Sequence, residues 1–516
     1  MVLNAICHNG RTFDTKVMIA LGLFRWFFNM QRDEIKLLFY GRGIEISTGE
    51  ISNLSEEFLL RFYALHKRKT NIMKSIFDKK SGIILHLDGT GEAGDDIVFT
   101  AIDGRTGIKI DSQIMPSESK ETIIPFLSSI KKSFGNPIVI IRDMSKNIKE
   151  AASEVFKGVL HLICHYHFVA NLGKLIFKDE YELLRNNIVK TRILAQFVSL
   201  KEKLSNLNTY KTILVQAESK WIEIAIEHIL IPREKLSGFP FILPYYEIIV
   251  RVMEIKKLIK KINDWNAENK IAVSSILDLY EKIEKLVNTE DVKKQFLILE
   301  KFSIWFDAVR KILDVNRHLK DEEQKKEPKT AVDIKNDLRK LIEQIKKDFN
   351  NKESKINSIS KIIISECSEH WDELTSEIKD KKGRDVNIVR HNGIAENNHR
   401  WSRMHTRRRT GRSRTTNDMA KYGALTAILS NLENEIYVKE VFEDVEDFVY
   451  ELLCVTEDEI EDARKLIKPY HNEYLISSYP KRITILTDFI KMLEQNEKKK
   501  NVDVKEWLNQ IEKSNP

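Results

Sequence analysis

Two aspartates stand where carboxylates can bind divalent cations. Asp88 closes the apolar run Gly82–Leu87, and Asp143 closes Pro137–Arg142. A side chain at the end of a buried strand is rigidly held yet reaches solvent. Two-metal phosphoryl transfer needs carboxylates that hold two ions about 4 Å apart, one activating the nucleophile and one the leaving oxygen. Hard oxygen ligands suit Mg2+ or Mn2+. Each aspartate also has a plainer reading: Asp88 before Gly89 as the start of a turn, and Asp143 before Met144-Ser145 as a helix cap. Asp95, Asp96 and Asp103 compete, but they flank the second apolar run and read as turn residues.

Two further groups carry chemistry. Cys164 and His167 have the spacing of half a zinc site, but no second Cys/His pair with ligand spacing follows. Cys7-His8 is remote and, with Gly10-Arg11-Thr12-Phe13, resembles the tail of a zinc ribbon without its first half. Between Asn397 and Asn417 there is no acid but there are seven arginines: Arg400, Arg403, Arg407, Arg408, Arg409, Arg412 and Arg414. A solvated face would normally carry compensating acids, so phosphate is the better partner for this run. Such contacts position DNA without reading its sequence. Trp401 among them has two readings, a base-stacking residue or a core residue.

The elements that must position these residues follow from periodicity. Residues 1–80 read as helical. Asp14–Asn29 and Gln31–Tyr40 are apolar-rich, Gly41-Arg42-Gly43 breaks the pattern, and Ser47-Thr48-Gly49-Glu50 has the S-x-x-E form of a capping box. Helix, glycine turn and capped helix outline either a helix-turn-helix, with Thr48, Ser52 and Asn53 toward DNA, or a plain helical hairpin. Residues 81–167 change character. Apolar runs at 82–87, 97–102 and 108–114 predict an antiparallel meander. A helix follows over Ser119–Phe134, with Pro125 inside it. Pro137–Arg142 reads as a strand buried on both faces, then a helix from Ser145 through Phe156, then a strand over Gly158–Ile163. The order β-β-β-α-β-α-β is that of an α/β RNase H-like core with a mixed five-stranded sheet, which sets the first and fourth strands side by side. Residues 168–385 are helical in pattern, 386–433 are mixed and carry the arginines, and 434–516 read as helices with exposed charge.

Leu85-His86-Leu87-Asp88-Gly89-Thr90, Ile140-Ile141-Arg142-Asp143-Met144 and Cys164-His165-Tyr166-His167 resemble the first two acids and the C-x-x-H element of DDE transposases. The group with Mutator-like and hAT-like elements and related insertion sequences is the most similar in outline. There a helical insertion separates the C-x-x-H from a final glutamate. Here Gly393-Ile394-Ala395-Glu396-Asn397-Asn398 stands after the helical stretch and before the arginines. The resemblance spans Gly82–Leu432 and implies a metal triad of Asp88, Asp143 and Glu396 holding two Mg2+ or Mn2+ ions. It also implies that Cys164 and His167 are structural, tying insertion to core. Glu373 and Glu377 compete with Glu396 but do not adjoin the basic run. The group uses an aromatic of the insertion to hold a flipped base, for which Trp265 and Trp305 are equal candidates, core packing being the alternative for both.

The implied activity is metal-dependent cleavage and strand transfer at the ends of a mobile element, on double-stranded DNA, by a dimer or larger assembly. Two alternatives share much of this sequence: an RNase H-like nuclease without strand transfer, and a domesticated DNA-binding protein that has lost catalysis. The bulk properties fit all three. The chain has 516 residues, 42% hydrophobic, and a net charge of +7 that is concentrated rather than spread. Its longest apolar run, Val17–Phe24, is too short to cross a bilayer, and no signal peptide is expected. Four cysteines (Cys7, Cys164, Cys367, Cys454) without disulfide spacing fit a reducing cytoplasm.

Overall fold

Apolar residues at Ile84, Leu85 and Leu87 build the central strand of a sheet. In the computed structural model β1 (Ile84–Thr90) pairs antiparallel with β2 (Ile97–Asp103), which pairs antiparallel with β3 (Lys109–Met115). On its other edge β1 runs parallel to β4 (Val139–Arg142), and β4 parallel to β5 (Leu160–Ile163). The order is β3-β2-β1-β4-β5, a mixed five-stranded sheet as expected. All four residues of β4 are buried, which accounts for the unbroken apolar run. The described residues are 13–91, 96–206, 213–230, 238–268, 274–315, 328–348, 354–388, 390, 393–412, 415–442 and 445–467; the side chains of 205–206, 213–219, 262–268, 274–276, 348, 354–356, 393–400 and 445–446 lie outside the description.

Among the described residues four helices precede the sheet: α1 (Thr15–Gly22, continued by a π turn over Leu23–Phe27), α2 (Arg32–Tyr40), α3 (Thr48–Arg68) and α4 (Thr70–Lys79). The S-x-x-E signal falls where a helix begins, and Ser47 Oγ accepts the Glu50 amide at 3.0 Å. Past its first turns α3 is a core helix. Ile51, Leu54, Phe58, Leu59, Phe62 and Leu65 are buried and share one core with Leu85, Leu87 and Phe99 of the sheet. Gly22 admits the Phe58 ring against α1, since a Cβ there would stand 2.0 Å from it. The described helices before the sheet therefore share their core with it.

Helix α5 (Lys120–Phe134) links β3 to β4 and carries Pro125 without ending; α6 (Lys146–Val155) links β4 to β5. The insertion is helical as expected, starting three residues earlier, at His165. It comprises α7 (His165–Lys190), α8 (Ile193–Asn206), α9 (Ile213–Ile229), α10 (Pro244–Glu268) and α11 (Ser274–Val287). The series continues with α12 (Glu290–Ile312), α13 (Ala331–Asp348), α14 (Ser354–Glu369) and α15 (Trp371–Thr375). These helices build a second core around Phe168, Phe177, Phe302 and Phe306. The chain then returns to the sheet through α16 (Gly393–Thr410) and α17 (Thr416–Leu429), and closes with α18 (Glu435–Val441), α19 (Val445–Leu453) and α20 (Glu457–Arg464). Leu425, Tyr437 and Ile460 from this last part join the first core. Among the described residues no helix is long and apolar enough to cross a membrane.

Candidate active site

Strand register decides which acids meet. Leu87 of β1 lies opposite Arg142 of β4 in a parallel pair, so Asp88 and Asp143, the next residue on each chain, emerge side by side. Asp88 is buried and also pairs in register with Thr100 of β2. Asp143 is half-buried; its Oδ1 accepts the Ser145 amide at 2.8 Å at the start of α6. The helix-starting role is thus present, and a carboxylate retains a second oxygen for a ligand. Burial raises the Asp143 pKa and the charge of Asp88 raises it further, against the Ser145 amide and the charges of His167 and Arg142. These are coupled acids in a desolvated place, an arrangement that a cation would relieve.

A third acid that the sequence did not single out joins them. Glu118, in the loop between β3 and α5, is pushed up to about 7 by burial and then by the charges of Asp143 and Asp88. Its carboxylate lies against the backbone of β1, where a Cβ on Gly89 would stand 2.0 Å from Glu118 Oε1. Gly89→Ala must therefore displace Glu118. We expect it to weaken Mn2+ binding, followed by isothermal titration calorimetry, by about tenfold or more, in the range typical of groups that support metal ligands. Unchanged affinity would show that Glu118 stands apart from the metal site.

The third expected ligand, Glu396, lies in the first turn of α16, and that helix packs against β1 and β2. Its side chain falls outside the described residues. Among the described residues no three His, Cys, Asp or Glu side chains form a closed ligand group. The donor set at hand is the pair Asp88 and Asp143 with Glu118 beside them, all oxygen donors and suited to Mg2+ or Mn2+. Glu373 is engaged elsewhere: it accepts from Arg142 Nη2 at 2.6 Å, Lys149 Nζ at 3.0 Å and His370 Nδ1 at 3.1 Å. Asp103 is the last residue of β2 rather than a residue outside it, and its carboxylate accepts the Ile84 and Thr106 amides at 2.9 Å where the turn to β3 begins.

The C-x-x-H segment divides its work. Cys164 is buried with Ile84, Val139 and Leu162 under the sheet, and its amide donates to Arg142 O at 2.7 Å. His167 lies in the first turn of α7. It hydrogen-bonds Cys164, and although burial opposes its charge, that bond and the charges of Cys164, Asp88 and Asp143 raise it to about 9. A cationic imidazole thus faces the acids. His165, which the sequence did not mark, holds distant parts of the insertion together: its ring nitrogens approach Leu313 O at 3.0 Å and Leu374 O at 3.3 Å. Its amide donates to Arg390 O at 2.8 Å, which joins the two ends of the insertion.

The arginine run lies on α16 as far as Arg409, and Arg412 stands beyond the end of that helix. Arg403, Arg407, Arg408 and Arg412 are exposed. Arg414 and the side chain of Arg400 lie outside the described residues. Arg409 departs from expectation: it is 3% exposed and lies over the Trp26 ring at 4.4 Å, so it is not part of the open face. Trp401 is half-buried; its Nε1 donates to Glu433 Oε1 at 2.8 Å and its ring contacts His405 with centroids 3.8 Å apart. Glu433 is a compensating acid that local sequence did not supply. Of the α3 candidates, Asn53 is exposed while Thr48 and Ser52 are half-buried; Ser52 Oγ donates to Thr48 O at 3.0 Å and accepts from Arg32 at 3.2 Å. In the insertion Trp305 is a core residue, and the Trp265 side chain lies outside the description. Cys7 and His8 also lie outside it. No family model and no curated protein sequence matches this chain.

Proposed function

We propose that this chain is a DDE-type transposase with an RNase H-like catalytic core. The observation that carries the reading is the parallel register of β1 and β4, which brings Asp88 and Asp143 together at one end of a β3-β2-β1-β4-β5 sheet. The arginine-rich α16 against β1 and β2 supports it, because it sets exposed guanidiniums on the helix that carries Glu396. Asp88, Asp143 and Glu396 would hold two Mg2+ or Mn2+ ions, which supply an activated attacking oxygen and stabilise the leaving oxygen. The protein's own part is positional. The end of the β1–β4 ladder fixes the two aspartates, Glu118 and His167 set the local charge, and Arg403, Arg407 and Arg408 align the phosphodiester backbone of double-stranded DNA. A dimer or larger assembly would pair the two element ends.

The test uses the full chain and labelled duplexes taken from the DNA on either side of its reading frame, with Mg2+ or Mn2+. The expected result is cleavage that exposes a 3′-hydroxyl, followed by joining of that end to a plasmid. Cleavage without joined product would replace the reading with a nuclease. Duplex binding without metal-dependent cleavage would leave a DNA-binding protein only.

A further inference from the structure

A second basic feature lies where the N-terminal helices meet the end of α16. A polar cleft of about 360 Å³ opens there between α1, α2, α3 and α17. Its charged lining is Arg25, Arg32, Arg409 and Arg412 against Asp33 and Asp418. Four guanidiniums face two carboxylates, and among the described residues none of the four lies within ion-pair distance of an acid. Arg409 is the centre of the imbalance. It is 97% buried, it donates to Thr406 Oγ1 at 3.4 Å, and its Nε finds no partner among the described residues.

The two inner arginines are held in place rather than left loose. Arg25 Nη1 donates to Met30 O and to Arg409 O, each at 2.9 Å, which fixes it beside the end of α16. Its guanidinium lies 5.9 Å from the Trp26 ring, and that of Arg409 4.4 Å from the same ring. Two like charges therefore share one indole. Burial and the neighbouring Arg25 lower Arg409 to about 9, which still leaves it cationic at neutral pH. A desolvated cation that keeps its charge and an unused donor is an uncompensated cost unless an anion completes it. Planar forks of N–H donors match the oxygens of phosphate. Exposed Arg32 and Arg412 at the mouth, with Gln31 between them, supply further donors.

We propose that this cleft is a phosphate-binding site, separate from the Asp88–Asp143 centre, in which Arg25 and Arg409 form the floor and Arg32 and Arg412 the rim. The favoured occupant is a backbone phosphate of bound DNA, which rests on the transposase reading; a free phosphate group has the same chemistry. The site would anchor DNA at the seam between the N-terminal helices and the returning half of the chain. It would act as a clamp on both parts at once.

The test measures binding in EDTA, so that it does not depend on cleavage. Two probes are used with the full chain: a fluorescent 20-bp duplex over a range of salt, and inorganic phosphate followed by thermal shift. Arg32→Ala and Arg412→Ala change exposed residues, and Arg409→Met keeps the bulk over Trp26 while removing the charge. Loss of about tenfold in duplex affinity, with a salt slope lower by about 1 for each arginine removed, supports the site with DNA as its occupant. Loss of the phosphate-induced thermal shift with unchanged duplex affinity supports the site with a free phosphate group instead. Neither response differing from the unsubstituted chain in the two rim variants overturns the proposal, whatever becomes of Arg409→Met. Absence of cleavage in the presence of metal would sink the transposase reading without touching this result.

Discussion

Asp143→Asn is expected to lower metal-dependent DNA cleavage by roughly a thousandfold or more, and Asp88→Asn to do the same. Charge stabilisation by metal ions contributes several kcal/mol to a phosphoryl-transfer barrier, and each 1.4 kcal/mol or so is about a factor of ten. The substitution is chosen to spare the fold. An asparagine oxygen can still accept the Ser145 amide that Asp143 Oδ1 holds at 2.8 Å, so the start of α6 survives. Stability should move the other way from activity. Burial and Asp88 hold the Asp143 pKa above its ordinary value, so the charged form is disfavoured in the folded chain. In metal-free buffer Asp143→Asn should therefore melt at the same temperature as the unsubstituted chain or higher. Nicking rates on a labelled duplex and a calorimetric melt read the two effects separately. Either variant cutting at the original rate would remove its aspartate from the catalytic group.

The second large effect concerns Glu373, which holds the insertion's return to the sheet. Arg142 is 2% exposed in its side chain and its charge is met by Glu373, with Lys149 and His370 on the same carboxylate. Glu373→Ala leaves a guanidinium buried without its counter-charge, which costs roughly 3–5 kcal/mol. Urea unfolding at pH 7 should show the loss as a lower midpoint, and Glu373→Gln should fall between. The pH dependence has a definite sign. Burial opposes the charge of Glu373, but the bonds from His370 and Lys149 and the charges of Arg142 and Lys149 outweigh it and hold the pKa at about 2 instead of 4.5. A depressed acid contributes fully above the unfolded value and loses its contribution as pH falls from about 4.5 to about 2. The unsubstituted chain should lose stability across that window more steeply than Glu373→Ala. Equal slopes would mean that the carboxylate is not held as the structure places it.

Much of the sheet was legible because strands buried on both faces spell themselves out. Val139–Ile141 between Pro137 and Asp143 leaves little choice, and the strand order then sets Asp88 beside Asp143. The capped start of α3 was legible for a similar local reason. What that helix does was not. Arg61 and His66 are polar in sequence yet buried, because their partners are Val455 O and Tyr437 Oη, several hundred residues away. Glu118 was hidden as a lone acid in a loop; the only mark beside the first aspartate was a glycine small enough to admit it. Arg409 was read with its neighbours because the buried side chains in the described part of α16 are Ser402, Thr406 and Arg409. Those residues keep helical spacing, but two are small and polar and one is charged, so hydrophobic periodicity is silent there. His165 was overshadowed by the C-x-x-H pair that brackets it.

The long reach of Arg61 has a consequence for how the chain is made. Its guanidinium donates to Val455 O, 394 positions further on, and Arg68 holds Glu459 in the same way. Helix α3 is therefore completed only by helices translated almost four hundred residues later. At about 5–20 residues per second the interval is roughly 20–80 s. During that time Phe58, Phe62 and the buried arginine must wait with apolar surface uncovered. The helical insertion has its own core and can fold within the interval. Synthesis of this protein should accordingly depend on chaperones that shield α3 until α20 has been translated.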